Sequence, residues 1–152
     1  MFDLIEVDQL RAHTRHFILW PRQWQTYQGI HPWTIKTLHE NYTRQIPVSS
    51  GIYTLILEPG IAGHNSCSYL MYVGKTSSLR RRFGDYLRKE REESGRPRIS
   101  EFLTRYDGYV YFCYTLVEVN ILNDIENKLL EAYIPPLNSQ YQGEISRVVG
   151  AF

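Results

Sequence analysis

The sequence has no long apolar run, little cysteine and almost no net charge. No stretch approaches the roughly 18 apolar residues of a transmembrane helix, so we expect a soluble chain without a membrane partner. The two cysteines, Cys67 and Cys113, form no CxxC pair, and no secretory apolar segment opens the chain. These features predict a reducing, cytoplasmic location. A net charge of +1 excludes a bulk polycation, so nucleic-acid binding would need a local basic patch.

The chain length of 152 residues suits one domain with an extension. Residues 1–47 carry all three tryptophans and four of the five histidines. We interpret them as an N-terminal extension that is helical and packs on the core, with a helix over Trp33–Tyr42 that begins after Pro32. An arm that stacks on bases or binds phosphates is the alternative. Residues 48–152 form the predicted main domain.

Patterns of apolar residues and turn residues divide the main domain into strands and helices. Ile52–Leu57 and Tyr69–Gly74 resemble two strands of a hairpin with a long loop, Glu58–Ser68. The remaining predicted elements are a helix after Ser77, a helix over Ile99–Tyr106, a strand over Tyr109–Val117, a helix over Asp124–Tyr133 and a short strand over Ile145–Val149. The order β-β-α-α-β-α predicts an α/β (α+β) fold with a small antiparallel sheet of about three strands flanked by helices.

Two short motifs lie in the predicted hairpin. Gly51-Ile52-Tyr53 starts the first strand, and Tyr72-Val73-Gly74 ends the second, directly before Lys75. In the following helix, Arg82 and Tyr86 are four residues apart and lie on one stripe. Tyrosines combined with nearby cations form a site that suits a phosphodiester.

These residues resemble the GIY-YIG nuclease family. The matching positions are Gly51-Ile52-Tyr53, Tyr72-Val73-Gly74, Arg82, Tyr86, Glu126 and Asn138. Lys75 looks like the variant found in the bacterial excision-repair incision nuclease. The resemblance covers roughly Val48 to Asn138 and implies the same fold. It also implies that Glu126 binds a divalent metal ion, magnesium or manganese. Without the resemblance, Glu131 would be an equal candidate.

The resemblance also implies roles for the other side chains. Tyr53 is the predicted general base or water-positioning group, and Tyr72 orients it or the water. Tyr86 completes the hydrogen-bond set, while Lys75 and Arg82 supply positive charge for the phosphate and the transition state. We expect Asn138 to organise the site by hydrogen bonding.

A local excess of positive charge follows the second motif. Residues 75–98 contain nine basic and four acidic side chains. The predicted nucleic-acid-binding residues in this segment are Arg80, Arg81, Arg88 and Lys89. Arginine binds phosphate in a bidentate way, so binding to this patch should weaken steeply with ionic strength.

The predicted function is divalent-metal-dependent endonuclease activity on DNA, of a restriction, repair or mobile-element type. One alternative is a nucleic-acid-binding module of the same fold that cuts nothing. Another is a nuclease specific for RNA or single strands, because the motif residues would contact the phosphate backbone of the nucleic acid and not its bases. The sequence leaves the oligomeric state open.

Overall fold

The structure of the protein is a computed structural model that describes residues 4–27, 29, 31–60, 67–88, 97–141 and 143–150. Within these ranges the helices are α1 (Leu4–Arg11), α2 (Pro21–Thr26), α3 (Leu79–Leu87), α4 (Pro97–Arg105), α5 (Leu122–Tyr133) and α6 (Gly143–Val149). The strands are β1 (Thr34–Thr37), β2 (Gly51–Leu57), β3 (Tyr69–Thr76) and β4 (Val110–Leu116). Short 3-10 helices cover Glu40–Gln45 and Val119–Ile121.

The strands form one antiparallel sheet in the order β1-β4-β2-β3. The predicted α+β class, a small antiparallel sheet with flanking helices, is confirmed. The three predicted strands correspond to β2, β3 and β4, and the sheet has β1 as a fourth. Because β3 is an edge strand, the backbone groups that point away from β2 need partners from outside the sheet.

The predicted helix over Trp33–Tyr42 is wrong. Thr34–Thr37 is instead strand β1, paired with Tyr111–Tyr114 of β4. Three of its four residues are β-branched, and such residues favour extended backbone when a neighbouring strand is available. A segment of the N-terminal extension therefore belongs to the sheet. The boundary at residue 47 stays a prediction.

Helices cover both faces of the sheet. Alternation along β2 places Tyr53 and Leu55 on the face that packs against α3 and α4. The opposite face carries Ile52 from β2 and Val73 from β3, and it packs against α5. Both faces are thus buried, and the edge strand β3 lies between the two helical layers.

The N-terminal extension packs on this core through several contacts. The His13 ring nitrogen Nδ1 lies 3.0 Å from the Tyr106 hydroxyl, just after α4. Arg105 of α4 donates a hydrogen bond to the carbonyl of Ala12. The ring of Phe17 packs on Tyr69 of β3, with centroids 5.7 Å apart. The extension therefore reaches α4 and the edge strand.

The predicted strand over Ile145–Val149 is also wrong, because Gly143–Val149 is helix α6. Ile145 is buried and Val149 is half-buried. This spacing of four residues places both on one side of a helix. None of the helices in the described ranges is long and apolar enough to cross a membrane.

Candidate active site at the edge strand

Strand pairing places the two tyrosines of the motifs on the same face of the sheet. Tyr53 is paired with Gly74, and Leu55 is paired with Tyr72. Residues paired across antiparallel strands share a face, so Tyr53 and Tyr72 both face α3. Their ring centroids are 6.1 Å apart. The hairpin therefore brings the two motifs together on one face of the sheet.

Tyr86 joins these rings from α3. Its hydroxyl lies 2.9 Å from the hydroxyl of Tyr53, within hydrogen-bond distance. Phe112 of β4 stacks on the Tyr53 ring with a centroid separation of 5.1 Å and an interplanar angle of 11°. Tyr53 and Tyr86 are each 1% exposed, and Tyr72 is 6% exposed. The tyrosine cluster, defined as Tyr53, Tyr72 and Tyr86, is therefore held in fixed positions by packing.

Gly74 leaves the space that the Tyr53 ring occupies. A Cβ atom at this position would lie 2.5 Å from the Tyr53 hydroxyl oxygen and 2.8 Å from a ring carbon of Tyr72. Both distances are shorter than real Cβ contacts. The glycine of the second motif is thus required because two aromatic rings cross the backbone there. Gly51 has a similar role, since its Cβ would lie 2.3 Å from the carbonyl oxygen of Thr115.

We predict that Gly74→Ala displaces the Tyr53 ring and separates its hydroxyl from that of Tyr86. Overpacking of a buried site costs about 1–3 kcal/mol, and the free energy of unfolding should fall by that amount. Urea denaturation of the variant measures this change. Gly84→Ala in α3 is the matched control, because its Cβ would meet only the flexible end of Arg88, 3.3 Å away. Equal stability of the two variants would contradict the assignment.

Arg82 lies one helical turn before Tyr86 on α3. This helix begins after Ser78, whose side chain accepts a hydrogen bond from the backbone N–H of Arg81. The Nε of Arg82 is buried and has no hydrogen-bond partner among the described residues. Its Nη1 is 3.8 Å from Oδ2 of Asp85, which is too long for a hydrogen bond. Arg82 therefore forms an ion pair with Asp85 and keeps one unsatisfied donor, one helical turn from Tyr86.

Lys75 and Glu126 form an ion pair on the other side of β3. Lys75 is paired with Ile52, so its side chain shares the face that packs on α5. Its Nζ lies 2.5 Å from Oε2 of Glu126, and the two side chains are 40% and 15% exposed. The lysine thus holds the carboxylate of Glu126 at the edge of the sheet. Glu131, on the same helix, is exposed.

The carboxylate of Glu126 fits a hard divalent cation such as magnesium. Magnesium is commonly held in proteins by one or two carboxylates, with water and substrate phosphate oxygens as the other ligands. The described residues contain no group of three or more His, Cys, Asp and Glu side chains that could hold a metal. Glu126 is the predicted protein ligand, and its Oε2 is already bonded to Lys75.

Asn138 provides hydrogen-bond partners for backbone groups at the open edge of β3. Its Oδ1 accepts a hydrogen bond from the backbone N–H of Val73 at 3.0 Å, and its Nδ2 donates to the Val73 carbonyl at 2.8 Å. The next residue back, Leu137, donates its backbone N–H to the carbonyl of Met71. The amide of Asn138 thus fixes the backbone of the second motif, between Tyr72 and Gly74.

The predicted phosphate-binding residues have different surroundings. Arg80 donates from Nε to the carbonyl of Ile46 at 2.7 Å, which ties α3 to the segment before β2. Arg88 is exposed and donates to Asp85 at 3.1 Å. Arg81 is exposed on α3. Lys89 lies outside the described residues. Arg80 is therefore already engaged within the fold, while Arg81 faces solvent.

The predicted site residues form two groups separated by the edge strand. The tyrosine cluster lies on the α3 face, with Arg82 on the same helix as Tyr86. The pair of Lys75 and Glu126 lies on the α5 face. Gly74 and Lys75 are consecutive residues of β3, so the two groups meet along one stretch of backbone. Asn138 fixes that stretch through its two hydrogen bonds with the backbone of Val73.

Sequence reasoning missed the role of Phe112. The sequence of β4 shows little alternation of polar and apolar residues, which indicates that the strand is buried. This pattern does not show which ring Phe112 packs against. The pairing of Leu55 with Phe112 in the β2–β4 register places it beside Tyr53. That register could not be predicted from the sequence, because Leu55 and Phe112 are distant along the chain.

The sequence matches no family model and no curated protein. Among solved structures, the chain is similar to the GIY-YIG N-terminal endonuclease domain of UvrC from Thermotoga maritima. The magnesium-bound form of that domain is 18% identical with a TM-score of 0.44, and the match covers 65% of this chain and 93% of that one. A point mutant bound to the catalytic divalent cation is 17% identical with a TM-score of 0.44, covering 67% and 99%. This is the family that the motifs resemble.

Proposed function

We propose that the protein is a divalent-metal-dependent endonuclease that hydrolyses phosphodiester bonds in DNA. The observation that carries the proposal is the buried Nε of Arg82, which has no partner among the described residues and lies one turn from Tyr86. A buried donor without a partner costs about 1–3 kcal/mol. Such a cost is expected at a site where a ligand supplies the acceptor, and a phosphate oxygen is a suitable acceptor for a guanidinium.

In the proposed reaction, a water molecule attacks the phosphorus in line with the departing 3′ oxygen. Tyr53 acts as the base in its phenolate form, which the hydroxyl of Tyr86 stabilises by donating a hydrogen bond. The phenolate accepts the proton of the attacking water and becomes a neutral phenol. Tyr72 orients the water. No covalent intermediate with the protein forms. Because Tyr53 is 1% exposed, this step requires that the attacking water enter the tyrosine cluster when substrate binds.

Positive charge from two sides would stabilise the transition state. Arg82 binds a non-bridging oxygen of the phosphate from the α3 side. A divalent cation at Glu126, when bound, would neutralise phosphate charge and stabilise the leaving oxygen. Lys75 holds the Glu126 carboxylate in place and adds positive charge near the phosphate. Asn138 acts as a positioning residue through its two hydrogen bonds to Val73.

The test is a cleavage assay on several nucleic acids. Purified protein is incubated with supercoiled, linear, single-stranded and branched DNA and with RNA, each with magnesium and with a chelator. We expect cuts in DNA with magnesium and none with the chelator. Cuts at one sequence would indicate restriction, and cuts at junctions would indicate repair. Cleavage of RNA alone would contradict the DNA assignment. Binding without cleavage of any substrate would show that the chain is the alternative, a binding module.

A further inference from the structure

A cavity of about 750 Å³ lies beside the candidate active site. Its walls come from Ala12 and residues 14–18 of the N-terminal extension, from α4, from the segment after α5 and from Val149 of α6. Asn138 lines this cavity and also bonds to the backbone of Val73. The cavity is therefore connected to the second motif through the hydrogen bonds that Asn138 makes with Val73.

The wall from the N-terminal extension is anchored to the core. The carbonyl of Ala12 accepts hydrogen bonds from Arg105 of α4 and from Arg15, the latter at 3.2 Å. Arg15 also donates to the carbonyl of Thr14 at 2.7 Å. These bonds fix the turn after α1, so the wall on this side of the cavity is held in place by hydrogen bonds.

The cavity carries more positive than negative side chains. Two arginines, Arg15 and Arg98, line it, with Glu101 as the acidic residue and His16 as a further polar residue among its lining side chains. Glu101 is already paired with Arg105 at 2.5 Å. The Nε of Arg15 is buried and lacks a hydrogen-bond partner among the described residues. Arg15 and Arg98 are therefore the two guanidinium groups that an anionic ligand in the cavity would meet.

The rest of the lining is apolar and partly flat. Phe17, Pro136 and Leu137 contribute ring and aliphatic surfaces. Burial raises the pKa of Tyr141 to about 12, although the positive charge of Arg98 opposes the shift. The Tyr141 hydroxyl is thus neutral at physiological pH and brings no negative charge. A ligand with an anionic part and a flat apolar part matches this combination.

We propose that this cavity binds one nucleotide of the nucleic-acid substrate, with the phosphate at Arg15 and Arg98 and the base against Phe17. The inference rests on the proposed nuclease function and extends it, because it assigns substrate recognition to the N-terminal extension. A cavity of this volume is large enough for one nucleotide, since ligand pockets of about 300–1,000 Å³ hold drug-sized molecules. Asn138, which lines the cavity, connects it to the backbone of the second motif through its hydrogen bond with Val73.

Calorimetric titration with a deoxynucleoside 5′-monophosphate, in the presence of chelator, tests the proposal. The matching nucleoside and inorganic phosphate are titrated as separate probes, and both should bind more weakly than the nucleotide. Arg98→Gln and His16→Gln should each weaken nucleotide binding, the former by about tenfold for one lost charge-assisted hydrogen bond. Arg11→Gln is the control, because Arg11 is an exposed arginine of the same extension that pairs with Asp8. It should bind like the wild type.

Two results of the binding experiment would overturn the proposal. One is equal binding by the Arg98→Gln and Arg11→Gln variants, with thermal melting showing that both are folded. The other is binding of inorganic phosphate as tight as that of the nucleotide, which would indicate a simple anion site. Failure of the nuclease proposal is distinguishable, because nucleotide binding is measured without metal. Nucleotide binding by a protein that cuts nothing would refute the nuclease function alone. Normal cleavage with an unchanged KM in Arg98→Gln would refute the cavity alone.

Discussion

The Glu126→Gln variant is expected to lose cleavage activity almost completely. Glutamine keeps the size of the side chain but removes the negative charge that would hold a divalent cation and pair with Lys75. Loss of several kcal/mol of transition-state stabilisation corresponds to a fall in kcat of about 10³-fold. Steady-state cleavage at saturating magnesium measures this fall. Binding of manganese, followed by electron paramagnetic resonance, gives a second readout that does not depend on catalysis.

The matched control is Glu131→Gln, on the same helix. Glu131 is exposed, whereas Glu126 is bonded to Lys75 at 2.5 Å. We expect the control to cut and to bind manganese like the wild type. Glu126→Gln should change the free energy of unfolding by less than about 1 kcal/mol, because partly exposed ion pairs contribute little to stability. Wild-type cleavage by Glu126→Gln, or equal losses in both variants, would refute the metal role.

The hairpin could be predicted from the sequence because its signals are local. Apolar β-formers fill Ile52–Leu57, turn residues fill Glu58–Ser68, and glycines mark the places where backbone and rings approach closely. The need for glycine at position 74 has a simple physical cause, since any side chain there would collide with Tyr53. Local pattern and tertiary contact agree in this part of the chain.

The two wrong element predictions have a common cause. The predicted helix begins directly after Pro32, and a proline there is typical of a helix start, but Thr34–Thr37 is a strand because it pairs with β4. Ile145–Val149 is rich in β-branched residues, but the segment lies in helix α6. In both segments, tertiary packing overrides a weak local preference.

The surroundings of the site residues depended on contacts that are distant in sequence. The amide of Asn138 bonds to Val73, 65 residues away along the chain, and Lys75 bonds to Glu126, 51 residues away. Motif spacing pointed to these residues but not to what each one touches. Likewise, Arg80 and Arg81 look equivalent in the sequence. Only the fold shows that Arg80 donates to the carbonyl of Ile46 while Arg81 faces solvent.

The neighbouring arginines of α3 give the second large expected effect. Arg82→Ala should lower kcat by about 10²–10³-fold, the usual loss when one donor to a developing negative charge is removed. Arg82→Lys should fall between the wild type and Arg82→Ala, because lysine keeps the charge but not the planar donor geometry. Single-turnover cleavage, with protein in excess, measures the chemical step in both variants. Removal of the unsatisfied Nε should leave stability unchanged or raise it.

Arg81→Ala separates this effect from general attraction to DNA. Arg81 is exposed on the same helix, so its loss should weaken binding and reduce the salt slope of the binding constant by about one, with little change in kcat. Arg82→Ala should show the opposite pattern, with a large fall in kcat. If both variants changed only the salt slope, Arg82 would be an ordinary phosphate contact. The buried donor next to the tyrosine cluster would then have no catalytic role, and the proposed transition-state contact from α3 would have to be abandoned.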